Sequence, residues 1–231
     1  IEISSSNSSA ITITPVPGQP TSTFSHNVEV SQLATNQVLN FPSFSSPTAF
    51  VNIDNLNIEF GSWTGSTFND AASAIADKSI NFVNDGSSSP SLSEIRDSIN
   101  NLTDTSGNNL GMRADIIETT DGNYSLVVKS VIGLANSVRM KSYLSSNENA
   151  TLKYDPGNGS FSDAASQSIA GKDAIFTVDG ISITRPTNSI TDVMDGVQLD
   201  LHSTTTKTET ISSSYSNSNA YSVLESLVAE M

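Results

Sequence analysis

A chain of 231 residues is long enough for one large domain or two small ones. With 36% apolar and 15% charged residues, it is too apolar and too weakly charged to stay disordered. A formal net charge of −14, from 24 acidic against 10 basic residues, argues against nucleic acid and anionic membranes as partners, because like charges repel.

There is no Cys, so no disulfide can staple the fold. No stretch approaches 18 uninterrupted apolar residues, so no helical bilayer span is expected. The chain shows no signal peptide. It starts at Ile1 and stops inside a helix-like pattern, which reads as a piece of a longer protein.

Residues 1–25 are rich in Ser, Thr, Asn and Pro. Ile11 and Ile13 alternate with Thr12 and Thr14, as expected of an edge strand broken by Pro15, Pro17 and Pro20. Val28 and Val30 start the next strand, followed by Leu33-Ala34 and, after polar residues, Val38-Leu39. Val51 and Ile53, then Leu56, Ile58 and Phe60, alternate around Asp54-Asn55; this predicts a hairpin or a bent strand pair. The Ala-rich stretch 70–82 reads as a helix.

The clearest helix covers 91–102. Leu92, Ile95, Ile99 and Leu102 recur at spacings of three and four, giving one apolar stripe. Ser91 and Glu94 stand at capping-box spacing, where each side chain serves the other's free backbone N–H. Two strands follow, one with Met112, Ala114 and Ile116, the other with Tyr124, Leu126 and Val128. Asp121-Gly122 turns the chain between them.

Residues 142–170 are turn-rich around Asp155-Pro156-Gly157, and predict a crossing between domains. Ala174, Phe176 and Val178 then share a strand face. Asp179-Gly180 turns the chain, and Ile181 and Ile183 return. A short turn near Ile190 and Val193 leads to a strand with Val197, Leu199 and Leu201. A Ser/Thr tract runs to about residue 219, and Tyr221, Leu224, Val228 and Met231 form a final helical stripe.

Chemistry-bearing motifs are absent. The two histidines, His26 and His202, lie far apart in sequence, and no Gly-x-Ser-x-Gly elbow accompanies the many serines. The oxygen-rich turns at Asp104–Asn109 and Asp155–Asn158 lack the closing Glu of a calcium loop, so they read as ordinary turns. No phosphate loop appears, and Trp63 with scattered aromatics defines no sugar platform. The chain is therefore expected not to be an enzyme, with no catalytic, cofactor-binding or metal residues and no cofactor.

The run DAIFTVDGISITRPTNSITDVMDGVQLDLHSTT, from Asp173 to Thr205, resembles the return hairpin of the flagellar hook-associated protein 2 family. The matching positions are Asp179, Gly180, Arg185, Asn188, Ile190, Asp192, Gly196, Val197, Leu199 and Leu201. NVEVSQLATNQVL, upstream, is similar to that family's early strand. LSEIRDSINN followed by MRADIIETTDGNYSLVVKS is similar to a helix-then-hairpin unit in which Ile99-Asn100 and Ala114 fit. The stretch from Phe60 to Pro90 departs from the pattern. Each matched position also has a structural use, such as a turn at Asp179-Gly180 or a local backbone cap at Asn188 and Asp192.

The resemblance implies a mainly β fold with a few short helices, in two globular domains plus the start of a helical leg. The expected layout is 1–21 as the incoming part of a leg-proximal β domain and 22–145 as an outer β-rich domain. Residues 146–212 would return to the first domain, and 213–231 would start the leg, with coiled-coil character. It further implies an extracellular cap at the filament tip, exported through the flagellar channel. That cap would promote flagellin polymerisation, prevent flagellin loss and be needed for motility. Implied partners are further copies of itself in a ring, flagellin and hook–filament junction proteins. An alternative is a surface adhesion module that binds host or glycan ligands.

Overall fold

The computed structural model describes residues 2–19, 22–82, 89–158, 163–215 and 228. The chain divides into two compact units. Unit 1 is Ile1–Leu33 with Ala174–Met231, and unit 2 is Ala34–Asp173, inserted between the two parts of unit 1.

Unit 1 begins with β1 (Glu2–Ser5), β2 (Ile11–Pro15) and β3 (Phe24–Gln32). Unit 2 contains β4 (Asn36–Phe44), β5 (Asn55–Thr64), β6 (Thr67–Asn69), β7 (Lys78–Asn81), the helix α1 (Leu92–Asn100), β8 (Arg113–Thr120), β9 (Asn123–Ile132), β10 (Ser137–Leu144), β11 (Asn147–Tyr154) and β12 (Ser166–Ile169). The chain returns to unit 1 with β13 (Ala174–Val178), β14 (Ile181–Arg185), β15 (Ser189–Ile190), β16 (Val197–Leu201) and β17 (Glu209–Ser214). The fold is mainly β, and α1 is the only α-helix of more than isolated residues among those described. No described helix is long and apolar enough to cross a membrane.

In unit 2, one sheet has the order β11-β10-β5-β6, with β7 also on β5; the other has the order β12-β4-β9-β8. Period-two alternation sends Leu56, Ile58 and Phe60 of β5 and Leu126 and Val128 of β9 into a shared core with Leu92, Ile95 and Ile99 of α1. The helix forms as its sequence predicts. Both hydrogen bonds of the capping box are made, and its three stripe residues are buried. Gln37 is buried yet satisfied, because its Oε1 accepts the Val138 N–H at 2.7 Å and its Nε2 donates to Gln167 Oε1 at 2.9 Å.

Three expectations change here. Residues 70–82 hold a single 3-10 turn at Asp70–Ala72 and the strand β7 in place of a helix. This stretch has no apolar helical stripe, and Ile80 instead lies opposite Leu56 on β5. Val51 and Ile53 are buried, but lie in coil and form no hairpin with β5. The flanks of β5 are taken by β10 on one side and by β6 and β7 on the other. The turn-rich reading of 142–170 also hid β11 and β12, which pair with β10 and β4 inside unit 2.

Unit 1 has a five-stranded antiparallel sheet of order β1-β17-β3-β13-β14 and a three-stranded sheet of order β15-β16-β2. Val28, Val30, Phe176 and Ile211 are buried in the first; Ile11, Leu199 and Leu201 are buried in the second. The strand β17 rises out of the Ser/Thr tract, and its side chains alternate between buried and accessible.

The sequence reading put residues 22–33 in the outer domain and 146–173 in the leg-proximal one. Backbone pairing sets the boundaries elsewhere: β3 is held by β13 and β17, which makes it part of unit 1. Residues 213–214 end β17; the expected leg helix otherwise lies outside the described residues, apart from Val228.

Candidate functional site

An open groove of about 620 Å3 runs along the β13–β14 hairpin of unit 1. Phe24, Val178, Ile181, Ile183 and Met194 supply its apolar lining; His26, Asp179, Arg185, Asp192 and Asp195 supply its ionisable groups.

The two-residue turn between β13 and β14 fixes one end of the groove. Asp179 and Gly180 have φ of 49° and 82°, the backbone signature of a turn whose twist matches the strands it joins. Asp179 is further held on β3. Its Oδ1 accepts the Asn27 N–H at 2.8 Å, and its Oδ2 lies 2.7 Å from His26 Nδ1. The Asn27 N–H first, and then His26, hold the Asp179 carboxyl below its usual range. The His26 ring stacks on Phe24 with centroids 5.5 Å apart.

At the other end, Arg185 Nε donates to both oxygens of Asp192, at 3.0 and 2.9 Å. Its Nη1 donates to the Thr184 carbonyl at 2.9 Å. The Arg185 hydrogen bond lowers the pKa of Asp192. The resemblance positions Asp179, Gly180, Arg185 and Asp192 therefore meet around one hairpin. Gly196, with φ of 73°, ends the turn before β16, whose Val197, Leu199 and Leu201 are buried.

This arrangement positions strands: Asp179 ties the β13–β14 turn to β3, and Arg185 ties the end of β14 to Asp192. His26 and Asp179 form a pair like the lower half of a hydrolytic triad. Nε2 of His26, however, has no hydrogen-bond partner among the described residues, so no nucleophile is aligned with it. His202 lies elsewhere, at the end of β16, with Nε2 2.8 Å from Thr12 Oγ1.

The oxygen-rich turns serve themselves. Asp104 Oδ1 accepts the N–H groups of Ser106 and Asn108 at 2.8 and 2.9 Å, and Asn108 chiefly holds its carboxyl low. The Asp155 N–H donates to Asp163 Oδ1 at 2.7 Å, and the Asp155 carbonyl accepts the Asn158 N–H at 3.0 Å. Among the described residues, no group of three or more His, Asp or Glu side chains is placed to hold a metal ion.

Unit 2 offers a second recess of about 500 Å3 with polar walls that include Asp54, Asn55, Asn57, Ser79 and Tyr143. Asp54 Oδ2 accepts the Ser145 N–H at 2.6 Å, and Asn55 Nδ2 donates to Ser79 Oγ at 2.8 Å. The sequence reading missed this recess, because its walls come from β5, β7 and β10, and β7 and β10 were not foreseen.

Comparison with known proteins gives the fold a relative. A family model described as the flagellar hook-associated protein 2 C-terminus matches residues 171–230. A flagellar hook-associated protein 2 of Treponema pallidum is 58% identical over 41 residues, which are 18% of this chain and 6% of that protein. The D1-D2-D3 domains of the Escherichia coli flagellar cap protein FliD match with a TM-score of 0.71 and 24% identity, over 96% of this chain and 57% of theirs. The D2-D3 domains of the same protein match with a TM-score of 0.69 and 25% identity, over 91% of this chain and 96% of theirs. The chain thus spans little more than half of the three-domain structure and a small part of the curated relative. The ordered motifs, the family model over residues 171–230 and the match to the D2-D3 fold together make this chain similar to the D2 and D3 region of flagellar hook-associated protein 2.

Proposed function

We propose that this chain forms the plate of a flagellar filament cap, a structural part that sits at the distal tip and performs no bond-making chemistry. The observation that carries this reading is the match of nearly the whole two-unit fold to cap-protein D2-D3 domains, joined to the motif run through Arg185 and Asp192. Legs outside this region would grip the filament. Several copies in a ring would enclose a space in which newly exported flagellin folds and inserts, so that monomers are not lost to the medium. Hook–filament junction proteins would be neighbours earlier in assembly. The net charge of −14 favours a solvated outer face at an extracellular tip.

The test is complementation. A strain that lacks its own cap protein receives the full-length parent gene, or the same gene without the residues of this chain. Restored filaments and retained flagellin with the first gene, and leakage with the second, are the expected result. If the full gene changes neither filament length nor leakage, the cap reading fails.

A further inference from the structure

The order β1-β17-β3-β13-β14 leaves β14 at the rim of its sheet. Within the β13–β14 hairpin, Val178 lies opposite Ile181 and Phe176 opposite Ile183. Across a two-residue turn, such closing pairs exchange backbone hydrogen bonds, and the alternation of an antiparallel ladder turns the next residues outward. Ser182 and Thr184 therefore present their N–H and C=O groups at the open rim. Arg185 Nη1 covers only the Thr184 carbonyl. Nothing in the described residues pairs with Ser182 on that side.

Rims of this kind are templates for a further strand unless charge, Pro or a bulge blunts them. The β8 rim in unit 2 carries such protection: Arg113, Asp115 and Glu118 lie along it, and Asn100 occupies both backbone groups of Ala114. The β14 rim has no charge between Asp179 and Arg185, and Ile181 is 69% exposed there.

We infer that β14 is a self-pairing edge, whose occupant is β14 of a second copy of this chain, antiparallel and centred on Ser182. The sequence is self-complementary about that centre. Ser182 would face the partner's Ser182, with two backbone hydrogen bonds exchanged. Ile181 would face the partner's Ile183, so the exposed apolar side chains cover one another. A shift of register by one residue would set the outward amides of one copy opposite the inward-turned amides of the other and lose the match.

Such a contact is two-fold and self-complementary. It differs from the head-to-tail contact that closes a ring, and it stands independently of the cap reading. It is also small, well below the roughly 1,200–2,000 Å2 of a stable specific interface, so the pairing is concentration-dependent.

Cysteine trapping tests the register. Ser182 and Thr184 are both exposed, so Ser182→Cys and Thr184→Cys leave the fold intact. In the proposed pair the two Ser182 Cα atoms are about 5.5 Å apart, within disulfide range. The two Thr184 positions are about 13 Å apart, out of range. Under mild oxidation, the S182C chain is expected to become a disulfide-linked dimer while the T184C chain stays monomeric. Adding Ile181→Lys to S182C should abolish the dimer. Equal cross-linking at 182 and 184, or none at 182 at high protein concentration, overturns the inference. Sedimentation of the unmodified chain should show a reversible dimer that I181K loses; a strict monomer at all concentrations also overturns it.

Discussion

Asn100 and Ala114 are joined as if they were neighbours in a sheet. Asn100 Nδ2 donates to the Ala114 carbonyl at 2.9 Å, and Asn100 Oδ1 accepts the Ala114 N–H at 2.7 Å. The last residue of α1 thereby satisfies both backbone groups of a residue on the rim strand β8. A side-chain amide offers a donor and an acceptor at the spacing of a peptide group, which is why Asn serves and an apolar residue cannot.

Replacing Asn100 with Leu is expected to leave two backbone groups at the margin of the core unpaired. The cost should be about 1–3 kcal/mol. Trp63 reads it out: it is the only Trp in the chain, lies in unit 2 and packs edge-on against Tyr154 at 5.6 Å. A urea midpoint by Trp fluorescence should fall in N100L. Asn100→Asp should lie between, because the carboxylate keeps the acceptor and loses the donor. An unchanged N100L midpoint would show the pair to be dispensable.

Ser91 offers a second check on the same helix. Its Oγ accepts the Glu94 N–H at 3.2 Å, and its own N–H donates to Glu94 Oε2 at 2.6 Å. Ser91→Ala removes the cap and should lower stability by about 1 kcal/mol, while Ser91→Asp should restore most of it. The same Trp63 titration reads both variants, and equal loss in each would argue against capping as the cause.

The helix cap and its apolar stripe were legible because they are local, whereas Asn100 and Ala114 were visible only as two positions of a motif. Capping-box spacing and a stripe at three and four residues are visible within one short window, and the Asp179-Gly180 turn is too. The missed elements depend on distant residues. β17 carries Ile211 as its one large buried apolar residue, and owes its place to pairing with β1 and β3 at the other end of the chain. The true boundary at 33/34 arises in the same way, since β3 cannot be assigned to unit 1 until β13 and β17 are known. The groove was legible only as a motif; the geometry that brings Arg185 to Asp192 lies in the fold.

Glu209 gives unit 1 a pH dependence. It is buried on β17, where Ser6 Oγ donates to Oε2 at 2.7 Å and Asn7 Nδ2 donates to Oε1 at 3.1 Å. The Ser6 hydrogen bond first, then Asn7, lower its pKa. A carboxyl whose folded pKa lies below its unfolded one stabilises the fold above the unfolded value. That stability is lost as pH falls through the folded value. Thermal unfolding of unit 1 should therefore shift downward between neutral pH and about pH 3. Glu209→Gln should be less stable at neutral pH and show a shallower acid decline. Hydrogen exchange at Ile211 follows unit 1 alone; an equal acid slope in both proteins would remove Glu209 as the cause.

Gly61 tests how tightly β5 is packed against β6. A Cβ at this position would collide with the backbone carbonyl of Asn69, the residue paired with Ser62. The blocking atom is main chain, so no side chain can swing aside, and the strand pair itself must open. Gly61→Ala should cost about 1–3 kcal/mol despite adding a single methyl, and Trp63, which pairs with Phe68 in the same hairpin, should report it directly. Gly122→Ala supplies the contrast. Its φ is 72°, but a Cβ there meets nothing within 4 Å, so the penalty is backbone strain of about 1 kcal/mol at the tip of the β8–β9 hairpin. If G61A proves as mild as G122A, then β6 is more loosely attached than its position beside Trp63 implies; if it is the more damaging of the two, the β5–β6 contact is part of the unit 2 core.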